Sequence, residues 1–250
     1  MKIYITEIPK EELNIEEFLE LLHPARREKV LKRKTVKARN EAICAGLLIR
    51  KAFLEEGVSE KEFLNAQLVT GERGKPRLVF ERFGKTDQLL TKRGKSDLSL
   101  TEGEKPEAEL TEIHYSLSHS GNLVMVAVSE YPVGLDIQLM EDKDFSKLAN
   151  RFFNKKELEY LNTETADSIK TKFYKLWCAK EAYGKRSGEG LSFDKDEKLD
   201  LLNSNSNELL FMDKKEPGYM ICICCDPKEN TQGDGGFVRV LSETFDILLS

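Results

Sequence analysis

An alternation of apolar and polar residues over positions 133–139 predicts a half-buried β-strand near the middle of the chain. The odd positions are aliphatic and the even ones are small or polar: Val133, Leu135, Ile137 and Leu139 against Gly134, Asp136 and Gln138. Successive side chains of a strand point to opposite faces, so this segment has one face for a core and one polar face. A buried strand is also predicted over the apolar run 123–128, which precedes a turn at Tyr131-Pro132.

Elsewhere strands and helices are mixed without regular βαβ alternation, which favours an α+β fold. Helices are predicted over 10–22, 42–54, 144–161 and 166–186. Further strands are predicted over 2–6, 67–69, 78–80, 208–212, 219–225 and 237–241. Residues 81–112 hold isolated leucines among charged residues, and we expect a long, mobile surface insertion there.

The charge balance excludes a uniformly basic, nucleic-acid-binding surface, because 39 basic residues face 44 acidic ones for a net charge of −5. Positive charge is nevertheless concentrated in residues 24–39. This segment has a net charge of +7, so the rest of the chain has a net charge of −12. The basic residues of this segment are Arg26, Arg27, Lys29, Lys32, Arg33, Lys34, Lys37 and Arg39. Such a run forms either a solvated helix face or a surface for an anionic partner, such as RNA or a phosphorylated small molecule.

Run lengths and cysteine usage indicate a cytoplasmic protein without membrane contact. The longest apolar stretch, 42–49, is far shorter than the roughly 20 residues of a spanning helix, and the first residues lack the apolar core of a secretory signal. The five cysteines are an odd, sparse set, which fits a reducing compartment rather than a disulfide framework. Cys222, Cys224 and Cys225 lie in an apolar segment and are interpreted as small hydrophobic residues of a buried strand, not as a metal site.

Two groups of residues are candidates for binding a cation or a phosphate. Asp136 and Gln138 share one strand face and could ligate a hard cation, although a solvated strand face is the alternative. Ser118-His119-Ser120-Gly121 offers hydroxyl and imidazole donors to a phosphate from a tight loop, the alternative being a structural histidine.

A third group lies on the helix predicted over 166–186. Trp177, Glu181 and Lys185 are spaced four apart and form one helical stripe. Glu181 should lie at the edge of burial, because the apolar residues upstream of it mark the buried face: Ile169, Phe173, Leu176 and Trp177. The alternative is an ordinary exposed pair between Glu181 and Lys185.

These groups, taken in chain order, resemble the 4′-phosphopantetheinyl transferases of the longer, Sfp type. The blocks that carry the resemblance are the basic segment with Arg26 and Lys29, Gly74-Lys75-Pro76, Ser118-His119-Ser120-Gly121, Val133-Gly134-Leu135-Asp136-Ile137, and the helix motif from Phe173 to Lys185. The last block is the most specific. The resemblance implies transfer of the phosphopantetheine arm of coenzyme A to a serine of an apo carrier protein (acyl, polyketide or nonribosomal-peptide), with release of adenosine 3′,5′-bisphosphate.

The resemblance also implies roles for individual residues. Asp136 and Glu181 would hold Mg²⁺ against the pyrophosphate, with Gln138 at a position where many members carry a second acid. Lys185 would contact the phosphates and stabilise the leaving group, and Glu181 or a water it positions would take the serine proton. The remaining positions would bind coenzyme A: Lys75, Ser118 and His119 at its phosphates, Arg26 and Lys29 at its 3′-phosphate.

By the same resemblance, the chain would be a monomer of two similar α+β halves, 1–132 and 133–250, related by a pseudo-twofold axis with the site between them. Two other functions are considered. Gln138 motivates a non-catalytic relative that binds coenzyme A or a carrier, and residues 24–39 motivate an RNA-binding protein, which would lack interleaved aromatic residues.

Overall fold

A computed structural model describes residues 1–70, 76–83, 108–163, 168–190, 208–212, 215–227 and 237–239 of the chain. The strands are β1 Lys2–Glu7, β2 Gln67–Thr70, β3 Pro76–Phe83, β4 Ala108–Ser120, β5 Leu123–Ser129, β6 Gly134–Leu139, β7 Leu209–Phe211, β8 Tyr219–Cys224 and β9 Phe237–Arg239. The helices are α1 Ile15–Leu19, α2 Pro24–Leu31, α3 Val36–Glu55, α4 Glu60–Asn65, α5 Ser146–Phe152, α6 Lys155–Leu161 and α7 Ile169–Ser187. The predicted α+β class is confirmed.

The larger sheet has six strands in the order β2-β3-β4-β5-β1-β9. Its neighbouring strands are antiparallel, except that β9 runs parallel to β1. The long helix α3 covers one face of this sheet, because its middle is apolar on nearly every side and packs against side chains of β1, β4 and β5. The helix predicted over 42–54 is therefore confirmed, and it is longer than predicted.

The smaller sheet has three antiparallel strands in the order β6-β8-β7. The aliphatic side chains of β6, including Leu135 and Ile137, pack against Ile3, Ile5 and Met125 of the larger sheet and form a core between the two sheets. Helix α7 covers the opposite face of the smaller sheet with small and aromatic side chains. Strand β6 is consequently buried on both faces, and the alternative of a solvated polar face was wrong.

Several predicted boundaries differ from the structure. The helix predicted over 144–161 is two helices, because Asn154 caps α6 in a capping box with Glu157 and so starts a new helix. The helix predicted over 10–22 is limited to the short α1. Residues 81–83 and 108–112, assigned to an insertion, belong to β3 and β4, and the rest of that segment lies outside the described residues. Ile169, expected on the buried face of α7, is 57% exposed.

Strand β9 comes from the far end of the chain but joins the larger sheet beside β1. The larger sheet thus contains strands from both sides of the predicted boundary at 132/133, and the pseudo-twofold relation of two halves stays a prediction. Within the described residues, no helix is both long and apolar enough to cross a bilayer.

Candidate active site

The candidate site forms where α7 crosses β6. Gly134 allows the close approach of these elements, since a Cβ atom at this position would lie 1.8 Å from the carbonyl oxygen of Ala182. The helix backbone can therefore lie directly on the strand. This contact brings Glu181 and Lys185 of α7 to the strand face that carries Asp136.

Asp136 is the centre of a buried polar network and is only 2% exposed. Its Oδ1 accepts hydrogen bonds from Ser118 Oγ at 2.8 Å and from Lys185 Nζ at 2.7 Å. Its Oδ2 accepts one from Gln138 Nε2 at 3.0 Å. The Lys185 ammonium neutralises this buried carboxylate, so the alternative of a simple exposed pair between Lys185 and Glu181 was wrong. Burial of a charge requires such pairing.

Serine side chains of β4 connect the two sheets at this point. Among the described strands, β6 pairs only with β8, on one edge, and the N–H groups of its other edge need acceptors. Alternate serines of β4 supply them: Ser116 Oγ accepts from Leu135 N at 2.9 Å, Ser118 Oγ from Ile137 N at 3.3 Å and Ser120 Oγ from Leu139 N at 2.9 Å. The tight loop predicted at 118–121 was therefore wrong. Ser118, His119 and Ser120 end a strand, and only Gly121 (φ +60°) begins the turn.

Glu181 lies beside this network, half-buried on α7. Burial raises the pKa of its carboxyl, the negative charge of Asp136 raises it further, and Lys185 opposes the rise. Two carboxylates thus share a partly desolvated space that contains one ammonium group. A cation placed between them would relieve their repulsion.

The chemistry of these side chains fits a hard divalent cation. Asp136 and Glu181 offer carboxylate oxygens, and the Gln138 amide, which donates its N–H to Asp136, also carries an oxygen. Across the described ranges, no three His, Cys, Asp or Glu side chains converge as a metal cluster. Mg²⁺ commonly uses one or two protein carboxylates and completes its shell with water and phosphate oxygens, so this small set suits it.

The residues predicted to bind coenzyme A are divided between the two faces of β4. His119 is 48% exposed, and its Nδ1 is 3.3 Å from Glu41 Oε2 of α3. Tyr115 lies four residues before His119, on the same face of the strand, and shares a hydrogen bond with Arg26 of α2. Arg26 and His119 are thus associated with one face of β4 and Ser118 with the opposite face, because side chains alternate along the strand. Lys75 lies outside the described residues.

Part of the basic segment is used internally. Arg27 donates to the carbonyl oxygens of Leu22 at 2.8 Å and Glu20 at 2.9 Å, while Arg39 pairs with Glu12. The remaining cluster is repulsive: the charge of Arg26, then burial, then the charge of Arg33 lower the pKa of Lys29. An anion next to Arg26, Lys29 and Arg33 would be stabilised by this unbalanced charge.

The sequence interpretation found the charged residues of the site but missed the part played by the serines. Ser116, Ser118 and Ser120 repeat at the period of a strand, and this signal was available in the sequence. The interpretation of the cysteines as buried residues of a strand is confirmed: Cys222 and Cys224 lie in β8, and all five cysteines are buried and form no disulfide.

Comparison with known proteins finds similarity to 4′-phosphopantetheinyl transferases. Residues 132–229 match the model of the 4′-phosphopantetheinyl transferase superfamily, a range that includes Asp136, Gln138, Glu181 and Lys185. The chain is similar to 4′-phosphopantetheinyl transferase gsp of Aneurinibacillus migulanus, at 32% identity over 124 residues, or 46% of this chain and 52% of the relative. It is similar to 4′-phosphopantetheinyl transferase Sfp of Bacillus subtilis, at 32% over 125 residues, or 45% and 55%.

A third relative, 4′-phosphopantetheinyl transferase psf-1 of Bacillus pumilus, is 40% identical over 80 residues, or 32% of this chain and 34% of the relative. In the first two alignments the chain spans about half the length of the curated relatives it matches.

Proposed function

We propose, on the premise that residues 132–229 belong to the 4′-phosphopantetheinyl transferase superfamily, that the protein moves the phosphopantetheine group of coenzyme A onto a serine of an apo carrier protein. Adenosine 3′,5′-bisphosphate is the second product. The observation that supports this most is the buried Asp136 network, in which Lys185 and Glu181 of one helix converge on one strand carboxylate. All three residues fall in the range matched by the family model.

Asp136, Glu181 and the Gln138 amide oxygen would hold Mg²⁺. The ion supplies charge neutralisation at the pyrophosphate and an orientation for in-line displacement. Compared with a site that has a third carboxylate, the Gln138 side chain contributes an oxygen without a charge. Because a neutral amide attracts a cation less strongly than a carboxylate does, we expect the site to bind Mg²⁺ with lower affinity.

Lys185 holds positive charge at the site while remaining able to reach a substrate. Its side chain is 29% exposed, and its ammonium is bonded to Asp136 Oδ1 at 2.7 Å and to Ser118 Oγ at 2.9 Å. We propose that it contacts the phosphates and stabilises the leaving group. Glu181, whose pKa is raised chiefly by burial, is the proposed acceptor of the proton from the attacking serine hydroxyl.

The coenzyme A phosphates are proposed to bind along β4 and α2. Arg26 and Lys29 would receive the 3′-phosphate, which is supported by the depression of the Lys29 pKa by its cationic neighbour Arg26. His119, next to Ser118 on β4, and Lys75 would contact the remaining phosphates. Contact between Ser118 and coenzyme A, and action as a cytoplasmic monomer, stay predictions.

The decisive experiment is mass spectrometry of a panel of apo acyl, peptidyl and polyketide carrier proteins incubated with the protein, coenzyme A and Mg²⁺. A gain of the phosphopantetheine mass is expected with wild type and should be lost in Glu181→Ala. Glu159→Ala, which removes an exposed acid of α6, is the control and should retain the reaction. Absence of a mass gain with every carrier would contradict the proposal and support the non-catalytic alternative.

Binding of single-stranded RNA tests the remaining alternative. If residues 24–39 form an RNA surface, binding should weaken steeply with salt and persist in excess coenzyme A. If residues 24–39 bind coenzyme A instead, an excess of coenzyme A should displace any bound RNA. The ion pair of Arg39 with Glu12 reduces the net charge left for such a surface, and Arg27 uses N–H donors on backbone carbonyl oxygens.

A further inference from the structure

Ser118 occupies an unusual place in the candidate site. Its side chain is buried, and its Oγ contacts three groups: Asp136 Oδ1 at 2.8 Å, Lys185 Nζ at 2.9 Å and Ile137 N at 3.3 Å. A serine hydroxyl has one proton to donate and two lone pairs with which to accept. Three contacts therefore use its full hydrogen-bonding capacity.

The chemistry of the three neighbours fixes the direction of each bond. An ammonium group and a backbone N–H can only donate, so Ser118 Oγ accepts from Lys185 and from Ile137. The ionised carboxylate of Asp136 can only accept, so the hydroxyl proton goes to Oδ1. A phosphate also requires a donor. The Ser118 hydroxyl could donate to a phosphate only by releasing Asp136.

The bond to Ser118 has a consequence for the geometry of Asp136. Oδ1 is bonded by Ser118 and by Lys185, Oδ2 is bonded by the Gln138 amide, and the Cys178 thiol also hydrogen-bonds to the carboxylate. Two donors on Oδ1 restrain the rotation of the carboxylate and so set the orientation of Oδ2. Partners of this kind orient ligating side chains, and their loss commonly weakens metal affinity by 10- to 100-fold.

We propose that Ser118 is a positioning residue that orients Asp136 and Lys185 for the cation, and that its side chain does not bind coenzyme A. This inference rests on the proposed function. It assigns the hydroxyl to the metal side of β4, opposite the face that carries His119. The serine is thus part of the link between the sheets and part of the site.

Ser116 provides a matched control, because it is also a buried serine of β4 and accepts from the neighbouring strand at Leu135 N, 2.9 Å away. Replacement of either serine by alanine removes one acceptor for a backbone N–H of β6. Only Ser118→Ala also removes a bond to Asp136 and one to Lys185. A difference between the two variants therefore reports on the site rather than on the connection of the sheets.

The test compares wild type, Ser116→Ala, Ser118→Ala and Ser118→Thr in two measurements. The first is binding of Mn²⁺ in the presence of coenzyme A, followed by electron paramagnetic resonance of the free ion. The second is steady-state transfer to a carrier protein as Mg²⁺ and coenzyme A are varied separately. Ser118→Ala should weaken Mn²⁺ binding and raise the Mg²⁺ requirement by about tenfold or more, with the KM for coenzyme A close to that of wild type.

Ser118→Thr, which keeps the hydroxyl, should restore most of the metal affinity, and Ser116→Ala should lose stability without a change in metal affinity. A raised KM for coenzyme A in Ser118→Ala with unchanged Mn²⁺ binding would overturn the inference and make Ser118 a coenzyme A ligand. Equal behaviour of both alanine variants would also overturn it. If Ser118→Ala does not fold, Ser118→Cys keeps the shape with a weaker donor and gives the same comparison. An inactive wild type refutes the proposed function instead, and the Mn²⁺ measurement still tests whether Ser118 orients Asp136 and Lys185 for the cation.

Discussion

The contact between α7 and β6 depends on the missing side chain at Gly134, and Gly134→Ala is the most direct way to test it. A Cβ atom there would lie 1.8 Å from Ala182 O and 2.5 Å from Arg186 N. Both are backbone atoms of the helix, so no rotation of a side chain can relieve the overlap. The helix as a whole has to move away from the strand.

The size of the effect follows from these distances. Real Cβ atoms essentially never approach other heavy atoms within 3.0 Å. Because the new Cβ would lie 1.8 Å from Ala182 O, this oxygen must move away by about 1.2 Å. The same displacement of Lys185 would stretch its 2.7 Å bond to Asp136 beyond hydrogen-bonding distance. We expect transfer activity to fall about 100-fold, as is typical of a 1 Å misplacement in a catalytic group. Overpacking should lower the free energy of unfolding by about 1–3 kcal/mol.

Activity is measured as the initial rate of carrier modification, and stability by urea denaturation. Gly46→Ala is the control, because its new Cβ would contact side-chain atoms of Leu22, and the one that is too close, at 2.7 Å, is a methyl group that can rotate away. Alanine also favours the helix α3 by about 1 kcal/mol over glycine, so this control should stay active and nearly as stable. If Gly134→Ala matches wild type in both activity and stability, then α7 and β6 are not held as closely as described, and the reasoning fails.

Two further predictions concern stability. The buried carboxylate of Glu157 lies 2.9 Å from the partly buried ammonium of Lys180, so Glu157→Gln should cost about 3–5 kcal/mol in urea denaturation, and a cost below 1 kcal/mol would contradict this. For Glu55, burial alone would raise the pKa, but hydrogen bonds from Lys51 and Tyr4 outweigh it and lower the pKa below its ordinary value. The resulting stability is present above that ordinary value and is lost as the pH falls. Glu55→Gln should therefore flatten the acid side of the stability profile, and an unchanged profile would refute the assignment.

Local patterns in the sequence predicted the parts of the fold that depend on neighbouring residues. The alternation over 133–139 correctly predicted β6, and the helical stripe with its glycine-rich end predicted α7, which stops at Gly188 in a left-handed conformation. The split between α5 and α6 was also visible, because Asn154 and Glu157 have the spacing of a capping box. It was missed because apolar periodicity alone was followed through that segment.

The arrangement of the site could be predicted only in part, because it depends on contacts distant in sequence. Asp136, Glu181 and Lys185 were recognised as candidates, and the structure brings them together. The partner of Lys185 was not predictable from helix spacing, since a buried strand carboxylate replaces Glu181 as the neighbour of the ammonium. The role of Ser118 required knowledge of which strand edge lies beside β6, and that is a tertiary fact.

The two faces of β4 make the site sensitive to insertions and deletions. Ser116 and Ser118 point to β6, whereas Tyr115 and His119 belong to the face associated with α2 and α3. Adding or removing one residue within this stretch would turn the serines towards the helices and the aromatic side chains towards Asp136. The bonds of Ser118 to Asp136 and Lys185 and the position of His119 on the opposite face would then be lost together. A change of chain length is expected to be far less harmful before β4 than within it. The alternation of side chains along this strand therefore limits which length variants of the protein can assemble the site.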